Sequence, residues 1–232
     1  MRVLDQLEPK RVFSFFEDLC AIPHGSGNTK AISDYCVKFA HDRGLEVHQD
    51  SLNNVVIVKP ATPGYEAAPT VIVQGHLDMV AEKTPESTIN FLTDGLELEI
   101  DGDFVRAKGT TLGGDDGIAV AMALAVLDSN DLAHPRLECL FTVDEEQGLI
   151  GANGLEPGMI TGSILLNLDS EEHGQLVIGC AGSQATLCHY PYTTEPAPGD
   201  YAYFEAGIKG LKGGHSGMEI HLGRANANQQ LA

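Results

Sequence analysis

This sequence of 232 residues predicts an α/β fold: a mainly parallel central sheet flanked by helices, followed by the start of a smaller α+β domain. Three observations support this. Strand-like segments alternate with helical ones, the pattern of βαβ units. Several strands are apolar throughout, as in a sheet covered on both faces. Beyond about Ala181 the alternation gives way to short strand-like segments separated by Pro, Gly and Thr. The predicted division is therefore a first domain over 1–183 and the start of a second over 184–232.

In chain order, Val12, Phe15, Phe16 and Leu19 recur at helical spacing between Pro9 and Ala21, and Pro23-His24-Gly25-Ser26-Gly27 stops that helix. A second helix starts at Thr29, carries Ile32, Tyr35, Cys36 and Phe39 on one face, and ends at Gly44. Segments 45–49 and 54–58 read as two strands around a turn at Leu52-Asn53, and 60–69 as a proline-containing loop. Thr70 to Gly75 is a buried strand ending at His76-Leu77-Asp78. The alternation from Leu96 to Ala107 is a hairpin turning at Asp101-Gly102. A helix over 117–127, a strand over 137–143 ending at Asp144-Glu145-Glu146, and a short helix from about Ile150 follow. The strand 163–168 ends at Asp169. In the second domain, 186–190 and 202–208 read as antiparallel strands, Gly210 to Gly217 as a glycine-rich loop, and a helix opens after Ala225.

Thirty-three acidic residues against 14 basic ones leave a net charge of −19, which argues against a nucleic-acid partner because phosphates would be repelled. No apolar run reaches the roughly 20 residues needed to span a bilayer, so no membrane partner is expected. The first residues lack the apolar stretch of a signal peptide. The five cysteines are scattered and include no Cys-x-x-Cys, consistent with reduced, mostly buried thiols. These features predict a cytoplasmic protein.

The chemistry-bearing residues lie where strands end, which is where ligands bind in sheets of this kind. His76 and Asp78 are two apart on extended chain and share a face, so the carboxylate can set the imidazole tautomer; a lone hydrogen-bonded histidine is the alternative. Glu145 and Glu146 diverge after a buried strand, so one can bind a cation while the other handles a proton; a solvated acidic turn would look the same. Asp169 is a third acid of this type, again explicable as a turn or a cap. Gly109-Thr110-Thr111-Leu112-Gly113-Gly114-Asp115-Asp116-Gly117 places two carboxylates on a glycine-rich turn before a helix. Either acid there could be a helix cap. Together, imidazole and carboxylate ligands around an open position are what a catalytic divalent cation requires.

Those segments, with Thr142 to Gly148, Asn167 to Glu172 and Lys209 to Gly217, resemble the M20 metallopeptidases. The similarity is strongest to the aminoacyl-histidine dipeptidase branch (Xaa-His or cytosol non-specific dipeptidases). It runs in order from about Leu7 to the last residue. The resemblance implies a zinc-peptidase-like catalytic domain followed by a lid domain. It also implies hydrolysis of dipeptides by two divalent metal ions, zinc first, with cobalt or manganese as alternatives. His76 and Asp169 would hold one ion and Glu146 the other, with Asp115 bridging them. Asp78 would orient His76, Glu145 would be the general acid/base, and the Asp115-Asp116 peptide would be cis. His215, in the Gly213-Gly214-His215-Ser216 loop of the lid, would steady the developing oxyanion, commonly in a partner subunit; a surface loop histidine is the alternative. The implied partners are a dipeptide and a second copy of the chain, as a homodimer through the lid.

Two departures stand out. Relatives often carry Asp-Asn where this chain has Asp115-Asp116, which adds a charge. The family's last metal ligand is a histidine beyond the lid, whereas this sequence stops within it. The expectation is an N-terminal fragment of a dipeptidase with the His76/Asp115/Asp169 site complete, the Glu146/Asp115 site short of a histidine, and weak or no activity. A deacylase or carboxypeptidase acting on N-acyl amino acids, and a non-catalytic metal-binding module, remain the alternatives. There is no His-Glu-x-x-His, Gly-x-Ser-x-Gly or Walker motif.

Overall fold

The apolar face noted after Pro9 folds as helix α1 (Lys10–Cys20), and its buried Phe16, Leu19 and Cys20 form the stripe that docks it. The computed structural model describes residues 2–170, 174–180, 182, 184, 186–214 and 219–232. Helix α2 (Lys30–Asp42) buries Ile32, Cys36 and Phe39. Strands β1 (Glu46–Gln49) and β2 (Val55–Lys59) form a hairpin whose turn requires a positive φ of 77° at Asn53. Strand β3 (Val71–His76) is followed by the hairpin β4 (Leu98–Asp101) and β5 (Phe104–Ala107), which forms a separate two-stranded sheet. Helix α3 (Gly114–Asp128), strand β6 (Leu137–Thr142), the single turn α4 (Ile150–Asn153) and strand β7 (Ile164–Asn167) complete the first unit. Among the described residues no helix is long and apolar enough to cross a membrane.

The central sheet has the order β1-β2-β6-β3-β7. β3 lies between β6 and β7 and is parallel to both, whereas β1 pairs antiparallel with β2, and β2 antiparallel with β6. The sheet is therefore mixed. A hairpin can only pair antiparallel, and it adds the β1–β2 edge, while the three strands that precede the candidate ligands form the parallel part. The register sets His76 opposite Thr142 and Gln74 opposite Asn167. The residues after these strands therefore emerge side by side at one edge.

The larger core lies on one face, where Phe16, Leu19, Ile32, Phe39, Val120 and Leu124 pack with Ile57, Cys139 and Phe141. On the other face Val56, Val58, Ile72 and Leu140 meet Leu155, Met159 and Ile160. β6 is buried throughout. In contrast, Ile164, Leu165 and Leu166 of β7 are about half exposed, because β7 is an edge strand with β3 as its one partner among the described residues. Cys20, Cys36 and Cys139 are buried, with burial pushing the Cys20 and Cys139 thiols up to about 12; Cys180 and Cys188 are exposed, and all five are free.

One buried carboxylate holds the approach to β7. Glu138 on β6, 1% exposed, accepts from Arg136 Nη1 (2.6 Å), Thr161 Oγ1 (2.6 Å), Thr161 N (2.8 Å) and Gly162 N (2.9 Å). Burial alone would raise its pKa, but these donors outweigh it and hold the carboxyl below its usual range. Such a group stabilises the fold above its unfolded pKa, and the contribution disappears as pH falls through the lowered folded value. Glu138→Ala strands four donors and is expected to cost about 3 kcal/mol at neutral pH. Thermal unfolding should show the gap from wild type narrowing below the ordinary glutamate value of about 4.3; a gap independent of pH would count against this account.

Val177–Ala232 forms a second compact unit. Here a 3-10 turn covers Ile220–Leu222, and helix α5 (Ala227–Leu231) is capped by the Asn226 side chain, which accepts from Asn228 N and Gln229 N. Arg224 pairs in bidentate fashion with Glu219. The expected antiparallel strands at 186–190 and 202–208 do not form among the described residues, where the chain is irregular. Their large side chains are exposed, Tyr190 by 86% and Phe204 by 91%, and a strand pair with no buried face has little to hold it.

Candidate metal centre

The site is built where β3 ends against the first turn of α3. Gly75 and Gly113 let these segments come close. A Cβ at Gly75 would lie 2.7 Å from Asp116 Oδ2, and one at Gly113, whose φ is +70°, would lie 2.9 Å from Met79 Sδ. Gly113 occupies the N-cap position and has no side chain to cap with. Asp115 and Asp116 have non-helical backbone angles, and the peptide between them is cis. Asp116 Oδ2 accepts from the His76 backbone N–H at 3.1 Å, so this buried acid ties α3 to the end of β3.

His76, 1% exposed, occupies the centre. Its Nδ1 lies 2.9 Å from the Asp78 carbonyl oxygen and 3.4 Å from Asp78 Oδ1. Its Nε2 lies 2.9 Å from Asp115 Oδ1, and 4.0 Å from both Glu145 Oε2 and Asp169 Oδ2. Three groups of side chains bring ligand atoms within 4.8 Å of one another: His76 with Glu145 and Asp169, His76 with Asp115 and Glu146, and Asp115 with Asp116 and Asp169. Among the described residues, Glu146 and Asp169 share none of these groups, while Asp115 meets both. The structure thus brings together His76, Asp78, Asp115, Glu145, Glu146 and Asp169. His215 lies outside the described residues, as do Glu171, Glu172 and His173.

The charges oppose one another strongly. Burial disfavours a charged His76, but the Asp115 and Asp78 carboxylates and the Asp116 charge outweigh it and raise the imidazolium pKa to about 11. Burial would raise Asp78 too, yet His76, the Glu145 amide and the Ser26 hydroxyl bring it down to about 2. Asp116 rises to about 7, mainly through burial. Burial first, then neighbouring carboxylates, also raise Glu145 and Glu146. One imidazole nitrogen set among four acids is a donor set for a divalent cation with nitrogen and oxygen preference, which would relieve their mutual repulsion. The residues present therefore fit a bound metal ion.

From the sequence alone the Pro23-to-Gly27 segment reads only as a helix stop. In the structure Ser26 Oγ donates to Asp78 Oδ2 at 2.7 Å, and Gly27 N donates to Asp144 Oδ1 at 2.7 Å. The signal was a serine between two glycines, a pattern suited to close backbone approach. Asn54 was also missed. It is fully buried and accepts from Val143 N at 3.1 Å while its Nδ2 donates to Gly151 O at 2.9 Å, holding the turn that carries Glu145.

An α/β sheet with clustered metal-ligand side chains beyond its parallel strand ends defines a metal-binding class of α/β domain. By sequence and fold the chain is related to the M20 metallopeptidases, in the aminoacyl-histidine dipeptidase branch. It is 42% identical over 231 residues to the cytosol non-specific dipeptidase of Escherichia coli, covering 100% of this chain and 48% of that protein. The crystal structure of the aminoacylhistidine dipeptidase from Vibrio alginolyticus matches 98% of this chain and 46% of its own, with a TM-score of 0.76 and 41% identity. The aminopeptidase PepT of Bacillus cereus matches 70% of this chain and 44% of its own, with a TM-score of 0.58 and 26% identity. No family model matches the chain. The chain spans about half the length of these relatives.

Proposed function

We propose that the protein hydrolyses dipeptides, Xaa-His among them, with two zinc ions as cofactors. The observation that supports this best is the convergence on His76 Nε2, itself at the end of β3, of carboxylates from two further strand ends and one helix start. His76 and Asp169 would hold one ion, Glu146 the other, and Asp115 both. Bound divalent ions supply Lewis acidity towards the scissile carbonyl and lower the pKa of a water towards neutrality. Asp78 keeps the His76 ring in place through Nδ1, leaving Nε2 as the ligand atom. The Glu145 carboxylate takes the water proton and later delivers it to the leaving amine nitrogen, a task suited to an acid whose pKa is raised. His215 would meet the developing oxyanion from residues 184–232, the lid through which two copies pair. The protein would act in the cytoplasm.

Removing metal with a chelator is expected to abolish hydrolysis of His-containing dipeptides, and added zinc to restore it; metal content should follow the same course. Hydrolysis that survives chelation, or a preference for N-acyl amino acids over dipeptides, would overturn this function.

A further inference from the structure

The loop 23–28 packs against Asp78, the residue that links both glutamates to His76. Its Met79 partner is held in both directions, since Met79 N donates to His24 O at 3.1 Å and Ser26 N donates to Met79 O at 3.1 Å. This fixes Ser26 beside Asp78. The Asp78 carboxylate is buried and accepts three hydrogen bonds. Ser26 Oγ donates to Oδ2 at 2.7 Å, Glu145 N to Oδ1 at 2.9 Å and Glu146 N to Oδ2 at 3.3 Å. Its Oδ1 lies 3.4 Å from His76 Nδ1. Asp78 therefore holds the imidazole through its carbonyl oxygen, 2.9 Å from Nδ1. Its carboxylate lies beside the same nitrogen and fixes the backbone of the two glutamates, and Ser26 is the side-chain hydroxyl that orients that carboxylate. The next residue adds a second tie: Gly27, with φ +82°, donates to Asp144 on the same turn, where Asp144 itself has φ +52°.

We propose that Ser26 is a positioning residue for the metal centre: its hydroxyl orients Asp78 so that His76 Nε2 and the Glu145-Glu146 turn are presented together. The loop 23–28 thus serves the site as well as ending α1. The catalytic consequence rests on the dipeptidase function above, but the positioning itself can be read without any turnover. Outer partners of this kind typically contribute about 10- to 100-fold in metal affinity or activity.

The test compares wild type, Ser26→Ala and Ser26→Thr by zinc titration, and in the metal-free protein by amide hydrogen exchange at Glu145 and Glu146 and by the ¹⁵N shifts of the His76 ring. Ser26→Ala is expected to weaken zinc binding about 10- to 100-fold. It should also speed exchange at both glutamates and move the His76 ring ¹⁵N shifts as its hydrogen bonding loosens; Ser26→Thr keeps the hydroxyl and should restore all three. A loss of thermal stability with unchanged affinity, exchange and ring shifts would overturn the proposal, since that is what a merely structural serine would show. Wild type that binds no zinc would sink the dipeptidase function, and the exchange and ring-shift data would still decide the role of Ser26.

Discussion

Asp115→Ala is expected to reduce dipeptide hydrolysis below about one-thousandth of wild type, a larger effect than the 10- to 100-fold typical of an outer partner. On the proposed assignment Asp115 is the one side chain that both ions share. Its Oδ1 is 2.9 Å from His76 Nε2, and it belongs to groups containing Glu146 and Asp169. Metal analysis should find neither ion bound tightly. Stability of the metal-free protein should change by less than about 1 kcal/mol, because the Asp115 side chain is 53% exposed and partly exposed ion pairs contribute little. A variant that keeps one ion at wild-type affinity would show that Asp115 is not shared.

Glu145→Gln separates proton transfer from metal binding. It is expected to lower the turnover rate about 10²- to 10⁴-fold with metal content and unfolding temperature unchanged. The backbone N–H of residue 145 still donates to Asp78 Oδ1, so the turn stays in place. The side chain lies 4.0 Å from His76 Nε2, in a setting where burial and nearby carboxylates raise its pKa. Full activity in this variant would remove Glu145 from the reaction and leave Glu146 or a water to move the proton. Loss of metal together with activity would instead make Glu145 a ligand.

Much of the first unit could be read from the residues. The face carrying Phe16 and Leu19, and the apolar Val71-Ile72-Val73 run before His76, are local patterns that survive folding because their apolar side chains have a core to enter. The second unit was less legible. Segments 186–190 and 202–208 have the alternation and aromatic content of strands, but alternation describes a face and supplies nothing to cover it; here Tyr190 and Phe204 face solvent. β7 gives the same lesson in milder form. Its apolar run reads as buried on both sides, yet the strand pairs only with β3 among the described residues and stays about half exposed.

The sequence by itself determined which residue types close the parallel strands and open α3: His76 and Asp78, Asp115 and Asp116, Glu145 and Glu146, and Asp169. It also carried, through motif and spacing, the resemblance to dipeptidases. Tertiary structure decided what those residues do to one another. Register sets His76 opposite Thr142, and the close approach at Gly75 turns Asp116 onto the His76 backbone. Ser26, 52 positions before Asp78, becomes its hydrogen-bond donor. Strand and helix periodicity is written in neighbouring residues, whereas the distance between two side chains far apart in sequence is set only when the sheet is paired and packed.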